Sequence, residues 1–367
     1  MKKIILYPFS LLYGFGVFLR NQLYDLNILK SKDFDIPVIS IGNITVGGTG
    51  KTPHVEYLIE LLKDGFNVAA LSRGYKRKTK GFKEVQTESK VSEVGDEPLQ
   101  VKKKYPGVTV AVCENRVNGA QKIFDTEKSA DVLLLDDAFQ HRWIEAGINI
   151  LLIDYNRQLK EDTLLPAGRL REPASQMRRA NVIIFTKCPE EITPIMRRVM
   201  QTQVRLKPYQ ELFFTTLEYG QLAPVFPGEP QQLNENETEN FDMLVVTGIA
   251  SPNLIYIYLN KIAKNIEPMA FSDHRNYSAS DIQKMKKKFR EIKSENKLII
   301  TTEKDAIRFR DMEKDLDEQF KQVLYYLPMK VRFLEEEGRI FNKKILNYVG
   351  ENKSNRELHQ RKNKSNA

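Results

Sequence analysis

The sequence predicts an α/β protein built on a doubly wound, mostly parallel sheet, with a second, smaller α/β domain. Three observations carry this. Short apolar runs at 35–41, 67–71, 108–113, 132–135, 148–153 and 182–186 are separated by helix-like stretches at 53–64, 99–105 and 116–125 and by polar loops, the pattern of parallel strands joined by crossovers. Polar motifs stand at the carboxyl ends of these runs, where open α/β sheets gather their functional loops. Further runs at 243–247 and 298–302 flank a charged helix at 279–292, so the second half also reads as α/β. The length of 367 residues accommodates two domains, and 41% hydrophobic with 29% charged residues describes a globular chain.

The first element is set apart. Residues 4–19 read I-I-L-Y-P-F-S-L-L-Y-G-F-G-V-F-L, without charge, between Lys2-Lys3 and Arg20. As a helix this run spans about 24 Å at ~1.5 Å per residue, short of a ~30 Å hydrocarbon core. Pro8, Gly14 and Gly16 weaken a straight span further, and no A-x-A-like cleavage site follows. A membrane-associating helix lying in the membrane face is expected over residues 1–25, with its aromatics at headgroup level. A plain buried helix is the alternative.

The strand at 35–41 leads into Thr45, Val46, Gly47, Gly48, Thr49, Gly50, Lys51 and Thr52, followed by an apolar helical pattern. Strand, glycine-rich turn, Lys-Thr and helix in this order make a P-loop. The glycines let backbone N–H groups face phosphate oxygens, Lys51 adds a point charge for the terminal phosphates, and Thr52 offers a hydroxyl to Mg²⁺. The helix start favours anions. Thr45 stands where the usual pattern has glycine. The fold class is therefore P-loop NTPase-type, with its core assigned to 26–154 and the second domain to 155–330.

Later motifs add chemistry. In V-G-D-E-P, Gly95 and Pro98 hold two carboxylates in a loop. Phosphoryl transfer to a hydroxyl needs a group that takes its proton, which makes Asp96 the candidate base and Glu97 its neighbour near the metal. An N-cap for the following helix is the competing reading, and the two are compatible. Asp136-Asp137 close the run V-L-L-L, where a P-loop enzyme holds Mg²⁺ mostly through water. Arg73 ends a strand in L-S-R-G-Y; Lys76, Arg77, Lys78, Lys80 and Lys83 follow, either as a solvated loop or as a contact for anionic headgroups or a substrate phosphate. Gln140, His141 and Arg142 add donors behind the acidic pair. Asp273-His274 in F-S-D-H-R-N-Y, and T-T-E-K-D at 301–305, read equally as functional or structural turns.

The formal net charge is +9, of which the tail 351–367, with five Lys/Arg against two Glu, supplies +3. The remaining excess suits a polyanionic ligand or an anionic membrane. Neither zinc-finger spacing nor an RNA-binding aromatic signature is present, so no nucleic acid is expected as partner. Cys113 and Cys188, far apart, fit a reducing compartment without a disulfide framework. A return segment is assigned to 331–350, the tail is expected to be disordered, and no protein partner is predicted.

Taken in order, S-I-G-N-I-T-V-G-G-T-G-K-T-P, L-S-R-G-Y, V-G-D-E-P, D-D-A-F-Q-H-R, L-L-P-A-G-R-L-R-E-P, F-S-D-H and T-T-E-K-D-A-I-R resemble the tetraacyldisaccharide 4'-kinase (lipid A 4'-kinase) family over roughly residues 1–330. The resemblance implies that ATP phosphorylates the 4'-hydroxyl of an acylated glucosamine disaccharide 1-phosphate, giving lipid IVA at the cytoplasmic face of the inner membrane. It implies that the loop 45–52 holds ATP, with Lys51 on the phosphates. Thr52, Asp136, Asp137 and Glu97 would hold Mg²⁺ and Asp96 would act as base. His274, paired with Asp273, would approach from the second domain. Arg73, Gln140, His141 and Arg169 or Arg171 would face the disaccharide. Thr45 looks normal for this family; Ala138 departs from an expected glycine, and the tail looks like an extension. A P-loop kinase of a soluble acceptor and an ATP-driven switch protein are the alternatives.

Overall fold

The structure is a computed structural model that describes residues 2–126, 130–157, 159, 162–228 and 235–365. The elements of its first half are α1 (Lys2–Asp25), β1 (Val38–Gly42), α2 (Lys51–Leu62), β2 (Val68–Ser72), β3 (Lys83–Glu84), α3 (Val91–Val94), α4 (Asp96–Lys104), β4 (Thr109–Val112), α5 (Arg116–Phe124), β5 (Val132–Asp136), β6 (Ile148–Asp154) and β7 (Val182–Thr186). The chain continues through α6 (Pro194–Val204), β8 (Glu211–Tyr219), β9 (Ala223–Pro224), β10 (Asp242–Thr247), α7 (Asn253–Ile262), β11 (Asn265–Ala270), α8 (Ala279–Glu291), β12 (Lys297–Thr302), α9 (Glu303–Asp311), α10 (Glu318–Gln322), β13 (Leu324–Leu327), β14 (Met329–Phe333) and α11 (Glu337–Ser365).

Nine strands form the first sheet in the order β14-β8-β7-β6-β1-β5-β2-β4-β3. β1 lies at its centre, parallel to β5 and β6. Strands β1, β2, β5 and β7 are buried at every position, the mark of a parallel sheet covered on both faces. Leu58, Ile59 and Leu62 of α2 pack with Ile39 and Ile41 of β1 in one apolar cluster, while Ile153, Phe185 and Phe214 belong to another. The second sheet runs β11-β10-β12-β13-β9, with only β9 antiparallel.

Three expectations need correction. The division at 154/155 falls inside the first sheet: β7 pairs with β6, β8 with β7, and β14 lies antiparallel to β8 with Met329 opposite Tyr219. The second unit is therefore an insertion between β8 and β14. A crossover pattern announces a strand but not the sheet it joins. The V-G-D-E-P stretch is not a loop before a helix at 99, because α4 starts at Asp96. Two carboxylates in the first turn complement the helix dipole, and Pro98 is tolerated where its missing N–H has no helical partner. The tail expected to be disordered continues α11 to Ser365, in a stretch rich in Lys, Arg, Glu and Gln, all good helix formers. Residues 366–367, and 229–234 of the polar loop expected at 227–240, lie outside the described residues.

Helix α1 runs unbroken through Pro8. One side is fastened to the segment 164–172: Ser10 Oγ donates to the Leu164 carbonyl at 2.9 Å and accepts from Ala167 N at 2.9 Å, Asn21 donates to Glu172 at 3.2 Å, and the Tyr13 hydroxyl donates to the Arg171 carbonyl at 2.8 Å. The other side leaves Ile5, Phe9, Leu12, Phe15 and Phe18 exposed. Among the described residues no helix is long and apolar enough to cross a membrane.

Candidate active site

The loop from Asn43 to Gly50 joins the carboxyl end of β1 to the start of α2. Its shape is fixed from three sides. Asn43 Nδ2 donates to Thr49 Oγ1 at 2.7 Å, Thr186 Oγ1 at the end of β7 donates to the Thr49 carbonyl at 2.9 Å, and Val46 N donates to the Arg169 carbonyl at 2.8 Å. Gly47 takes φ 102°, and a Cβ there would stand 2.9 Å from the Arg157 guanidinium, so no other residue fits without strain. His54, one turn into α2, supports the loop: burial pushes its imidazole down to about 4, and the ring links Gly50 to Thr215.

Beside this loop stand the acids of β5. Asp137 occupies the left-handed region at φ 49°, uncommon for a residue with a side chain. Lys51 Nζ lies 3.6 Å from its Oδ1, and Arg171 bonds it at 2.7 and 3.2 Å. Burial alone would raise Asp137, but Lys51 and Arg171 outweigh it and hold the carboxyl well below its ordinary range. Asp136 behaves oppositely. Its Oδ1 is buried without a hydrogen-bond partner, and burial, then the charges of Glu97 and Asp137, push it up to about 7. An orphaned carboxylate oxygen beside two further acids, Glu97 and Asp137, fits a hard divalent cation that keeps several waters. No three His, Cys, Asp or Glu groups among the described residues make a closed metal cage.

These groups give a sign to test. Asp136 titrates at about 7 in the fold against an ordinary 3.8, so its contribution to stability is present below pH 4 and lost as pH rises through about 7. Asp136→Asn is expected to raise the melting temperature of the metal-free protein at pH 8 while depressing Mg²⁺-dependent turnover. A lowered melting temperature at that pH would count against this account.

Across the cleft, Asp96 opens α4, almost fully buried. Its Oδ1 accepts from Glu97 N at 2.9 Å. Its Oδ2 receives His274 Nδ1 at 3.0 Å and the Arg308 guanidinium, with Lys304 Nζ at 3.9 Å. Burial would raise Asp96; the His274 hydrogen bond and the Lys304 and Arg308 charges overcome it and keep the carboxylate ionised far below the usual range. Lys304 also reaches Glu97 at 2.8 Å and His274 Nε2 at 3.1 Å. An ammonium only donates, so Nε2 accepts and Nδ1 carries the proton shared with Asp96. The second unit thus reaches the carboxylate as expected, but Asp273 stands 3.9 Å from His274 Nε2, beyond hydrogen-bond distance. His274 itself is left-handed at φ 55° and stacks edge-on against Tyr75 at 4.8 Å. Three residues with side chains held in sparsely populated backbone conformations, Asp137, Lys187 and His274, meet in this one cleft.

The cleft holds about 380 Å³ and is lined by the loop 45–53, Glu97, Asp137, Arg171 and, from the insertion, Asp273, His274 and Lys304. The five residues expected to face an acceptor are divided. Arg73 is exposed, and its charge, with that of Arg116, reaches His141, which burial in the first place pushes down to about 3. His141 packs against Trp143 at 5.0 Å. Gln140 donates to the Asn43 carbonyl at 2.9 Å and accepts from Arg20 at 2.6 Å, so it braces the phosphate loop against α1. Arg171 is committed to Asp137 and Asn43, while Arg169 is exposed and contributes its carbonyl to the loop. Lys187 was missed. It follows β7, takes φ 58°, and ties the Gly48 carbonyl to Asp154. Lys304 and Arg308 were also missed as site residues, although T-T-E-K-D-A-I-R drew notice. Their spacing of four on one helix face is the signal that could have found them.

A phosphate loop at the switch of a parallel sheet, sharing a cleft with Glu97, His274 and Lys304 around a buried ionised carboxylate, defines a P-loop phosphotransferase. A family model described as tetraacyldisaccharide-1-P 4'-kinase matches residues 2–349. Tetraacyldisaccharide 4'-kinases of Phocaeicola vulgatus and Bacteroides fragilis are 49% and 48% identical over 353 and 362 residues, covering 95% and 97% of this chain and 96% of each relative. The crystal structure of LpxK from Aquifex aeolicus in complex with ATP superposes with a TM-score of 0.71 at 32% identity, covering 95% of this chain and 99% of that one. The chain belongs to the tetraacyldisaccharide-1-P 4'-kinase family.

Proposed function

We propose that this protein transfers the γ-phosphoryl group of ATP to the 4'-hydroxyl of tetraacyldisaccharide 1-phosphate, yielding lipid IVA. The observation that carries the reading is the meeting of Lys51 and Asp137 from the phosphate-loop side with Glu97, His274 and Lys304 in one cleft, with Asp96 buried directly behind it on His274. Backbone N–H groups of the loop 45–52, other than that of Val46, and the Lys51 ammonium receive the phosphates. Mg²⁺, when bound, neutralises charge on the transferring group; Thr52, Asp136, Asp137 and Glu97 are the residues that would hold it. Asp96 accepts the hydroxyl proton, and His274 orients it. A carboxylate with so low a pKa is a weak base, which suits a loose transition state in which the proton leaves late. The walls supplied by the insertion keep water from competing with the acceptor. Arg73 and His141 are assigned to the acceptor's sugar and 1-phosphate on the family resemblance, from positions outside the lining of the cleft. Incubation with labelled ATP, Mg²⁺ and tetraacyldisaccharide 1-phosphate should give labelled lipid IVA; ATP turnover indifferent to the lipid would support a switch ATPase instead.

The acceptor's acyl chains stay in a bilayer, so the enzyme must work at its surface. The exposed side of α1, with Leu12 71% and Phe15 66% exposed, supplies an apolar face for peripheral docking at the cytoplasmic side of the inner membrane. Leu12→Glu with Phe15→Glu is expected to lower co-sedimentation with anionic vesicles and turnover on membrane-borne acceptor. The melting temperature should hold, because neither side chain is buried. Unchanged co-sedimentation would refute the docking face.

A further inference from the structure

We propose that Arg308 is a second positioning residue for Asp96, beside His274, and that the insertion sets the geometry of the proton acceptor through it. The inference deepens the reading of Asp96 as that acceptor and rests on it. Arg308 lies on α9, 4% exposed, in the unit opposite α4. Its planar fork splits between two acids: one nitrogen on Asp96 Oδ2, the other on Asp305 Oδ1. Asp305 is fully buried and is itself held, its Oδ2 accepting from Gly248 N and from Thr302 Oγ1, each at 2.8 Å. The Gly248 carbonyl accepts from Arg308 at 3.3 Å and from His274 N at 3.2 Å. A Cβ on Gly248 would stand 2.8 Å from Asp305 Oδ1 and 3.1 Å from the Arg308 guanidinium, so the network closes only around glycine.

The consequence is directional. Arg308, His274 and Lys304 all crowd Asp96 Oδ2, while Oδ1 takes one backbone N–H and keeps its second lone pair. A guanidinium locked at its far end by Asp305 fixes the rotation of the carboxylate and so the direction in which that lone pair points. Lysine at this position keeps the charge but cannot span both acids.

The test compares Arg308→Lys and Arg308→Met with the unaltered protein, alone and combined with Asp96→Asn, under Mg²⁺-ATP and the lipid acceptor. Arg308→Met is expected to lower kcat about 10²-fold, as misplacement of a reacting group does, with the KM for ATP retained. Arg308→Lys should fold and show a smaller loss in the same direction. In the Asp96→Asn background either change should cost almost nothing more, because the group being positioned is gone. Wild-type kcat in folded Arg308→Lys, or losses that multiply fully in the Asp96→Asn background, would overturn the proposal. Should Arg308→Met fail to fold, the lysine variant and its double mutant decide alone. Near-full turnover by Asp96→Asn would instead remove Asp96 as proton acceptor, a failure of the underlying reading that the Arg308 variants do not mimic.

Discussion

Replacing Asp96 by Asn should lower kcat by about 10²–10⁴-fold, the usual worth of a positioned proton acceptor, with the KM for ATP nearly unchanged. The acceptor proton and the nucleotide phosphates meet different walls of the cleft, so the two parameters separate. The same change should destabilise the fold. Asp96 is the shared partner of Arg308, His274 and, at 3.9 Å, Lys304, and breaking a buried ion pair costs about 3–5 kcal/mol. Its pKa is held down in the folded state, so this stabilisation is present at every pH above its ordinary value and is lost only as pH falls toward the folded pKa. The difference in melting temperature between variant and parent should therefore persist through neutral pH and close in strong acid. Turnover close to wild type would remove Asp96 from the reaction, and an ATP KM that rises with the loss would move it to the nucleotide.

Lys51→Ala should fail differently. The ammonium lines the cleft at the start of α2 and, unlike that of Lys187, is not tied to a carbonyl of the phosphate loop; a preorganised donor to a transferring group is worth about 10²–10³ in rate. ATP affinity should fall with it, since the same charge meets the ground-state phosphates. Stability should change little, because Asp137 keeps Arg171 when Lys51 leaves. Nucleotide titration beside kcat and thermal melting reads all three. Unaltered ATP affinity would place the terminal phosphates elsewhere.

Much of the first sheet was legible in the sequence, and for one reason. A strand buried on both faces must be apolar throughout, and V-I-S-I, V-A-A-L, V-L-L-L and V-I-I-F announce themselves. The phosphate loop was legible because backbone chemistry restricts which residues can form it. The sheet to which β7 and β8 belong was not, since pairing is decided by neighbours distant in sequence. Asp96 was legible as chemistry but not as the first residue of a helix. Lys304 and Arg308 acquire their roles only because α9 docks on α4 from some two hundred positions away; in the sequence they are two basic residues on a charged helix. Arg171, expected as an alternative to Arg169 on the acceptor, lines the cleft but spends its guanidinium on Asp137 and Asn43, which offer it planar, well-placed oxygens. Asp273, next to His274, lost the imidazole to Lys304 for the same reason: proximity in the chain does not aim a side chain.

The pairing of Tyr219 with Met329 has a consequence for chain entropy. Polypeptide leaves the first sheet and rejoins it at adjacent rungs, so the insertion has its two ends side by side. While that insertion is unfolded, capturing β14 means closing a loop on the order of 100 residues; once it folds, its ends arrive already together and the closure costs far less. The same capture brings Phe341, Ile345 and Val349 of α11 into the core beneath α2. During synthesis, then, the nucleotide-binding half waits, unsealed along one edge, for residues made after the insertion, and the folding of that insertion is what brings them within reach.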